Sequence, residues 1–325
     1  MPSERERAQA LLLGLALGDA LGWPVEFLDR PRILVKYGRA GILAPPNPAL
    51  YTDDTQMSAA VAEALVEAGH RGLEVLMGAM ARKFIGWKRD PSTPSRAPGA
   101  TSIRGVNALE RGAPWREAGV KDSKGCGSCM RVAPVGFFYQ RDPGRLQNIA
   151  RAQGVLTHRH PTADAACIAG AYLVSLAMDG IDPSEYPQRV LKFGSGISAE
   201  FEAAIERVPA VLSWHDEEAA LNHIGPTRGG GWVAEEAIAM ALYCVMRHPL
   251  DYVGTVRLAA NISGDSDSVA SIAGGLVAAR LGLGALPGDW LERLENREYL
   301  IDLANRLADK KVEMSAAWQQ SAGLV

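Results

Sequence analysis

The sequence predicts one compact all-α domain. Three observations point there. Apolar residues recur at helical spacing in segment after segment. No stretch of useful length alternates as a half-buried strand would. Two short acidic clusters, about two hundred residues apart, each sit directly before an apolar helical pattern.

Taken in order, residues 4–21 read as a helix, with Ala8, Leu11, Leu12, Leu15 and Ala16 on one face and Gly22-Trp23-Pro24 as its stop. Residues 28–50 are rich in Gly and Pro and read as irregular. Helix 54–69 carries Met57, Ala60, Val61, Ala64 and Leu65 and ends at Gly69. Helix 72–87 buries Leu73, Leu76, Met77, Met80, Ala81 and Phe84. Residues 88–101 form a long loop, followed by a short helix to Arg111. The segment 122–130 is loop-like, and 130–139 begins the next helix. The Val-rich piece 131–135 resembles a strand, but its flanks favour helix.

Helical spacing then fits 145–155, 161–179, 185–193, 198–207, 215–221, 231–247, 250–260, 267–281, 287–294 and 297–308. Within 267–281 lie the adjacent Gly274 and Gly275. Glycine costs about 1 kcal/mol against alanine inside a helix. Their presence predicts that another backbone passes close by.

The chain has 325 residues, 47% hydrophobic and 6% aromatic, enough for a large core. No fixed-period repeat and no low-complexity linker divides it. Its 34 Lys and Arg are scattered against 37 Asp and Glu, for a net charge of −3. That gives no footprint for nucleic acid. Four cysteines, including one Cys-x-x-Cys, are not a disulfide framework, so a reducing compartment is expected. The apolar stretch Leu11 to Leu17 is short and broken by glycine, and no run approaches the ~20 apolar residues of a membrane span. The expectation is a cytoplasmic protein with no membrane partner.

The chemistry concentrates in the acidic clusters. Gly264-Asp265-Ser266-Asp267-Ser268 places two carboxylates two residues apart, so an extended approach would aim both at one ion. Helix capping by Ser266 or Asp267 explains one acidic residue, not two interleaved with hydroxyls. Tyr51-Thr52-Asp53-Asp54-Thr55 repeats the logic. Capping and the helix dipole account for single acids, but adjacent like charges repel unless a cation compensates. Hard oxygen donors in two such clusters suit a pair of divalent cations.

Other segments are less specific. Cys126-Gly127-Ser128-Cys129 lacks the second ligand pair of a structural zinc site. The run Lys124–Ser128 offers backbone N–H groups to a phosphate, as an ordinary loop also would. His158-Arg159-His160 reads as a loop near the site or a surface pair. Gly229-Gly230-Gly231-Trp232 reads as a substrate-facing loop or a connector.

Together these segments resemble the ADP-ribosylglycohydrolases. The resemblance rests on Gly14–Gly22 with Glu26, Tyr51–Met57, Gly125–Pro134, Thr157–Thr162, Gly231–Ala237 and Gly264–Ser268, in the family's order across residues 8–282. It implies a compact single-domain orthogonal helical bundle with a binuclear metal cleft, spanning 1–325 and holding two Mg2+ (or Mn2+). The implied metal ligands are Thr52, Asp53, Asp54, Asp265, Asp267 and Ser268. The implied catalytic carboxylates are Asp53, Asp54 and Asp267, with Glu26 beside them. The implied substrate contacts are Gly125, Cys126, Gly127, Ser128, His160, Gly231 and Trp232. Serine at 266 and 268, where threonine is frequent, keeps the hydroxyl. Arg159 and Asn261-Ile262-Ser263 depart from the usual pattern and bear on substrate preference.

The implied activity is hydrolysis of ADP-ribose from modified protein side chains, with ADP-ribosylarginine first and ADP-ribosylserine or another O-linked conjugate second. A non-catalytic, crystallin-like member is the third reading, set against the complete set of oxygen donors. An unrelated binuclear phosphoesterase would lack the Gly-Asp-x-x-Gly and Gly-Trp-Val-Ala-Glu-Glu segments. The implied partners are an ADP-ribosylated protein or ADP-ribose. The loop 88–101 lies outside the shared segments and is the expected place for target selectivity.

Overall fold

Two glycine-faced helices lie against each other at the centre of the molecule, and the rest of the chain is wrapped around them. The computed structural model describes residues 2–321. Its first half contains α1 (Glu4–Gly22), α2 (Arg30–Tyr37), α3 (Asp53–Ala68), α4 (Leu73–Arg89), α5 (Ala100–Glu110), α6 (Trp115–Ala118), α7 (Ala133–Phe138) and α8 (Pro143–Val155). Then come α9 (Pro161–Met178), α10 (Tyr186–Phe193), α11 (Ala199–Val211), α12 (Glu217–Ile224), α13 (Ala234–Arg247), α14 (Tyr252–Ala260), α15 (Ser266–Leu281), α16 (Gly288–Arg293) and α17 (Arg297–Ser321). The all-α prediction holds.

The α1–α15 contact organises the fold. Gly14, Gly18 and Gly22 recur every four residues and so share one face of α1. A Cβ on Gly18 would lie 2.1 Å from the carbonyl oxygen of Ala270, and one on Gly22 2.4 Å from that of Ser266. From α15, Gly274 answers: its Cβ would lie 2.5 Å from the carbonyl oxygen of Gly14. The backbone approach predicted for α15 is therefore present at Gly274. At neighbouring Gly275 the nearest atom would be 3.4 Å away, ordinary packing distance. Because Gly14 meets Gly274 while Gly22 meets Ser266, the helices run antiparallel. The end of α1 thus abuts the start of α15.

Several boundaries differ from the sequence expectation. Residues 28–50 are not all irregular. Arg30-Pro31 opens α2, with Pro31 in its first turn and Asp29 accepting from the Arg32 N–H at 2.9 Å. Helices α7 and α13 start three residues later than expected, and α17 continues to Ser321. Val120–Lys121 (β1) pairs in parallel with His158–Arg159 (β2), a strand pair too short to show a period of two. The expectation about apolar run length also needs correction. Glu4–Val25 and Pro161–Met178 are long and apolar enough to cross a bilayer. Both are largely buried within the protein, where all-round apolar character suits a central helix.

Candidate active site

Three helix ends meet where α1 and α15 cross. Asp19, on the last turn of α1, is fully buried and accepts four hydrogen bonds from the start of α3. The Thr52 N–H (3.0 Å) and hydroxyl (2.9 Å) reach its Oδ1, and the Thr55 N–H (3.0 Å) and hydroxyl (2.5 Å) reach its Oδ2. These bonds fix the first turn of α3 against α1. The seam at Gly22 fixes the first turn of α15 against the same helix.

The two acidic clusters consequently converge. Ser268 donates to Asp54 Oδ2 at 3.3 Å, joining positions 214 apart in sequence. Glu26, Asp265 and Asp267 present carboxylate oxygens within 4.8 Å of one another. Asp53 accepts from the Gly99 N–H at 3.2 Å. Neither cluster is consumed by capping its own helix. Thr52 is the cap of α3, accepting from the Asp54 N–H at 3.3 Å. Asp265 stands at the N-cap position of α15 and makes no side-chain capping bond. The extended approach expected for Asp265 and Asp267 is not seen, since Asp267 already lies in the first helical turn.

The electrostatics follow from this crowding. Burial raises the Asp53, Asp54 and Asp267 carboxyls well above the ordinary range, and neighbouring carboxylates raise them further. Burial, then Asp265 and Asp19, push Glu26 up to about 7. Burial takes Asp19 to about 6 against the four hydrogen bonds that favour its charge. Asp54 Oδ1 is buried without a hydrogen-bond partner. An orphaned carboxylate oxygen among repelling carboxylates is the environment a hard dication relieves, so the donor set fits a hard divalent cation.

Above this floor lies a cleft of about 680 Å³, within the range of small-molecule sites. Glu26, Asp53, Asp54, Asp265, Asp267 and Ser268 line it, as do Gly125, Cys126, Gly127 and Trp232. Four expected residues do not. Thr52 is fully buried, its O–H turned to Asp19 and its oxygen accepting from the Asp54 N–H. Ser128 is buried and donates to the Gly125 carbonyl at 3.3 Å. Gly231 turns at φ +91° against Val269. His160 caps α9, its Nδ1 accepting from the Thr162 N–H at 3.1 Å.

The histidine that lines the cleft is His158. Strand β2 ends at Arg159, so the chain turns into α9 before His160 can share the face of His158. A Cβ on Gly125 would sit 3.2 Å from His158 Nε2, which places the ring beneath the glycine loop. Burial, with Arg131 and Arg104 nearby, lowers His158 to about 3, so it stays neutral.

Arg131 lies under the same loop and is fully buried. It donates to the Gly127 carbonyl (2.9 Å), to Gln153 and to Thr157, and its guanidinium lies 4.5 Å from the Phe84 ring centre. Sequence reading gave neither Asp19 nor Arg131 a role. An acid inside the apolar pattern of α1 is a visible signal of a buried charge; Arg131 offers none. The four cysteines are free and buried. The expected loop 88–101 is shorter, since α4 runs to Arg89 and α5 starts at Ala100; the loop supplies Ala97 and Gly99 to the cleft wall, and the start of α5 supplies Ala100 and Thr101. Arg104 and Lys121 add positive charge beside the glycine loop, while Lys124 there is paired to Glu200 (2.9 Å) and Glu235 (2.6 Å).

Comparison with known proteins points to one family. The family described as ADP-ribosylglycohydrolase matches residues 1–316. An uncharacterized protein of Archaeoglobus fulgidus is 31% identical over 93% of this chain and 96% of its own length. ADP-ribosylarginine hydrolase Tri1 of Serratia proteamaculans is 26% identical over 93% of this chain and 79% of its own. Among solved structures, one titled ADP-ribosylglycohydrolase-related protein complex superposes with a TM-score of 0.75 at 28% identity, covering 96% of this chain and all of that one.

Proposed function

This chain belongs to the ADP-ribosylglycohydrolase family, enzymes that hydrolyse glycosyl bonds, and we propose that it releases ADP-ribose from modified arginine side chains as one domain over 1–325. The observation that carries the proposal is the Ser268–Asp54 contact, which joins the two acidic turns in one cleft. The arginine linkage is supported by the likeness to the Serratia ADP-ribosylarginine hydrolase.

Two Mg2+ or Mn2+ ions would be held by Thr52, Asp53, Asp54, Asp265, Asp267 and Ser268. Bound there, they supply charge that orients the ribose hydroxyls and acidifies water. The chain's own residues do the rest. Asp19 holds the Thr52 and Thr55 donors in place. Glu26, only partly buried and raised to about 7, is poised to take a proton from the attacking water at neutral pH. That water forms a C–O bond at the anomeric carbon as the C–N bond to arginine breaks, through an oxocarbenium-like transition state. The proton leaves with the guanidine. Arg104, Lys121 and Lys124 attract the diphosphate, and Gly125 and Gly127 let it approach the backbone. Arg131 and His158 support that loop from below.

The test is direct. Purified protein with magnesium and an arginine-ADP-ribosylated protein should release free ADP-ribose. Release from an O-linked conjugate alone would move the substrate to hydroxyl linkages, and release from neither would refute the reading.

A further inference from the structure

Phe27 follows Glu26 directly, lines the same cleft, and leaves 54% of its surface exposed. Its φ of +54° is left-handed, a conformation that a bulky residue keeps only when its surroundings impose it. One backbone contact does so: its N–H donates to the carbonyl of Gly264 at 2.7 Å, one residue before Asp265. The Gly229–Trp232 loop faces the ring, since a Cβ on Gly229 would lie 3.6 Å from Phe27 Cδ1. The backbone of Phe27 is therefore fixed relative to Asp265. Trp232, 42% exposed, lines the cleft from the same loop.

The cations of the cleft, Arg104, Lys121 and Lys124, come from α5, β1 and the Lys124–Ser128 loop, with Asp122 among them and Lys124 paired to Glu200 and Glu235. Phe27 instead adjoins Glu26, a carboxylate outside the proposed ligand set. A carboxylate left free there attracts a cation. An aromatic face beside a carboxylate suits a guanidinium, which is planar, weakly hydrated and able to stack on a ring.

We propose that Phe27 is the residue that selects the leaving side chain: its ring receives the guanidinium of ADP-ribosylarginine beside the Glu26 carboxylate. The inference rests on the arginine reading above and extends it to a specificity-determining residue. A neutral serine side chain gains nothing from such a ring, so Phe27 separates nitrogen-linked from oxygen-linked conjugates.

The experiment compares wild type with Phe27→Ala, Phe27→Leu and Phe27→Tyr, each loaded with magnesium. It uses matched peptides bearing ADP-ribosylarginine or ADP-ribosylserine, and calorimetry with ADP-ribose alone. Phe27→Ala and Phe27→Leu should lose about tenfold in kcat/KM on the arginine conjugate, as expected for one cation–π contact. Phe27→Tyr should keep wild-type selectivity. ADP-ribose affinity and any turnover of the serine conjugate should stay within about twofold. Equal loss on both conjugates, together with weaker ADP-ribose binding, would put the ring on the adenine end and overturn the proposal. Wild-type arginine activity that Phe27→Ala leaves unchanged would overturn the proposal alone. A wild type that cleaves no arginine conjugate would overturn the underlying reading as well.

Discussion

The two acidic turns look alike in sequence, yet the fold supports them by different means. The turn at 52–55 is held by hydrogen bonds: Thr52 caps α3, and Asp19 takes four donors from it. The turn at 265–268 has no side-chain cap and is held chiefly by close backbone packing against Gly22, with the Ser266 hydroxyl donating to the Gly22 carbonyl at 2.9 Å, Cys126 donating to Asp265 and Ser268 reaching Asp54. The same chemical function can therefore be damaged through polar satisfaction at one turn and through volume at the other.

The largest expected effect is at the packed turn. Gly18→Val puts side-chain atoms into the Ala270 backbone, which cannot yield as a flexible side chain would. It should destabilise the protein by about 3 kcal/mol or more in urea unfolding. A wild-type unfolding midpoint would remove the packing half of the comparison. Next comes Asp19→Ala. It strands the buried Thr52 and Thr55 donors, at a cost of about 3 kcal/mol. Magnesium affinity, followed calorimetrically, should fall with it although Asp19 lines no part of the cleft. Unchanged affinity would mean that the hydrogen-bonded turn needs no clamp.

Asp267→Asn should act in the opposite direction on stability. It removes one of several mutually repelling buried carboxylates, so the metal-free protein should gain about 1 kcal/mol while ADP-ribose release is abolished. Helical circular dichroism should stay intact. In wild type, a chelator should lower the thermal midpoint and magnesium restore it; in Asp267→Asn neither should matter. A metal response that survives in the variant would take Asp267 out of the ligand set.

The smallest effect compares single side chains at the two helix starts. Thr52→Ala loses an N-cap and one hydroxyl bond to Asp19 and should cost about 1–2 kcal/mol. Asp265→Asn loses no capping bond and should cost nothing of that kind. Equal costs would erase the distinction.

Much of this was legible in the chain, for reasons that differ by element. Long helices such as α3 and α9 were readable because a buried face imposes a period of 3.6 on the sequence. The acidic turns were readable because adjacent buried carboxylates have few uses other than cation binding. Helix α2 was missed because Gly and Pro around it outweighed the Asp29 cap and Pro31, which together mark its start. The sequence reads the whole His158–His160 segment as a loop near the site, but it names only His160 as a substrate contact. Which of two histidines faces a cleft depends on where a two-residue strand ends, and so short a strand leaves no pattern. Arg131 was silent because its partners are mostly backbone carbonyls and uncharged side chains, whose positions belong to the fold.

The sequence by itself determined the helical class, the two clusters of hard donors and the glycine faces of the central helices. These are properties of neighbours along the chain, where spacing alone carries the physics. Only the tertiary structure decided that the clusters meet, that Asp19 clamps one of them, and that Phe27 lines the same cleft as both. The meeting of the clusters depends on an antiparallel approach of α1 and α15 that brings residues more than two hundred positions apart within a hydrogen bond's reach, and no local period encodes such a distance.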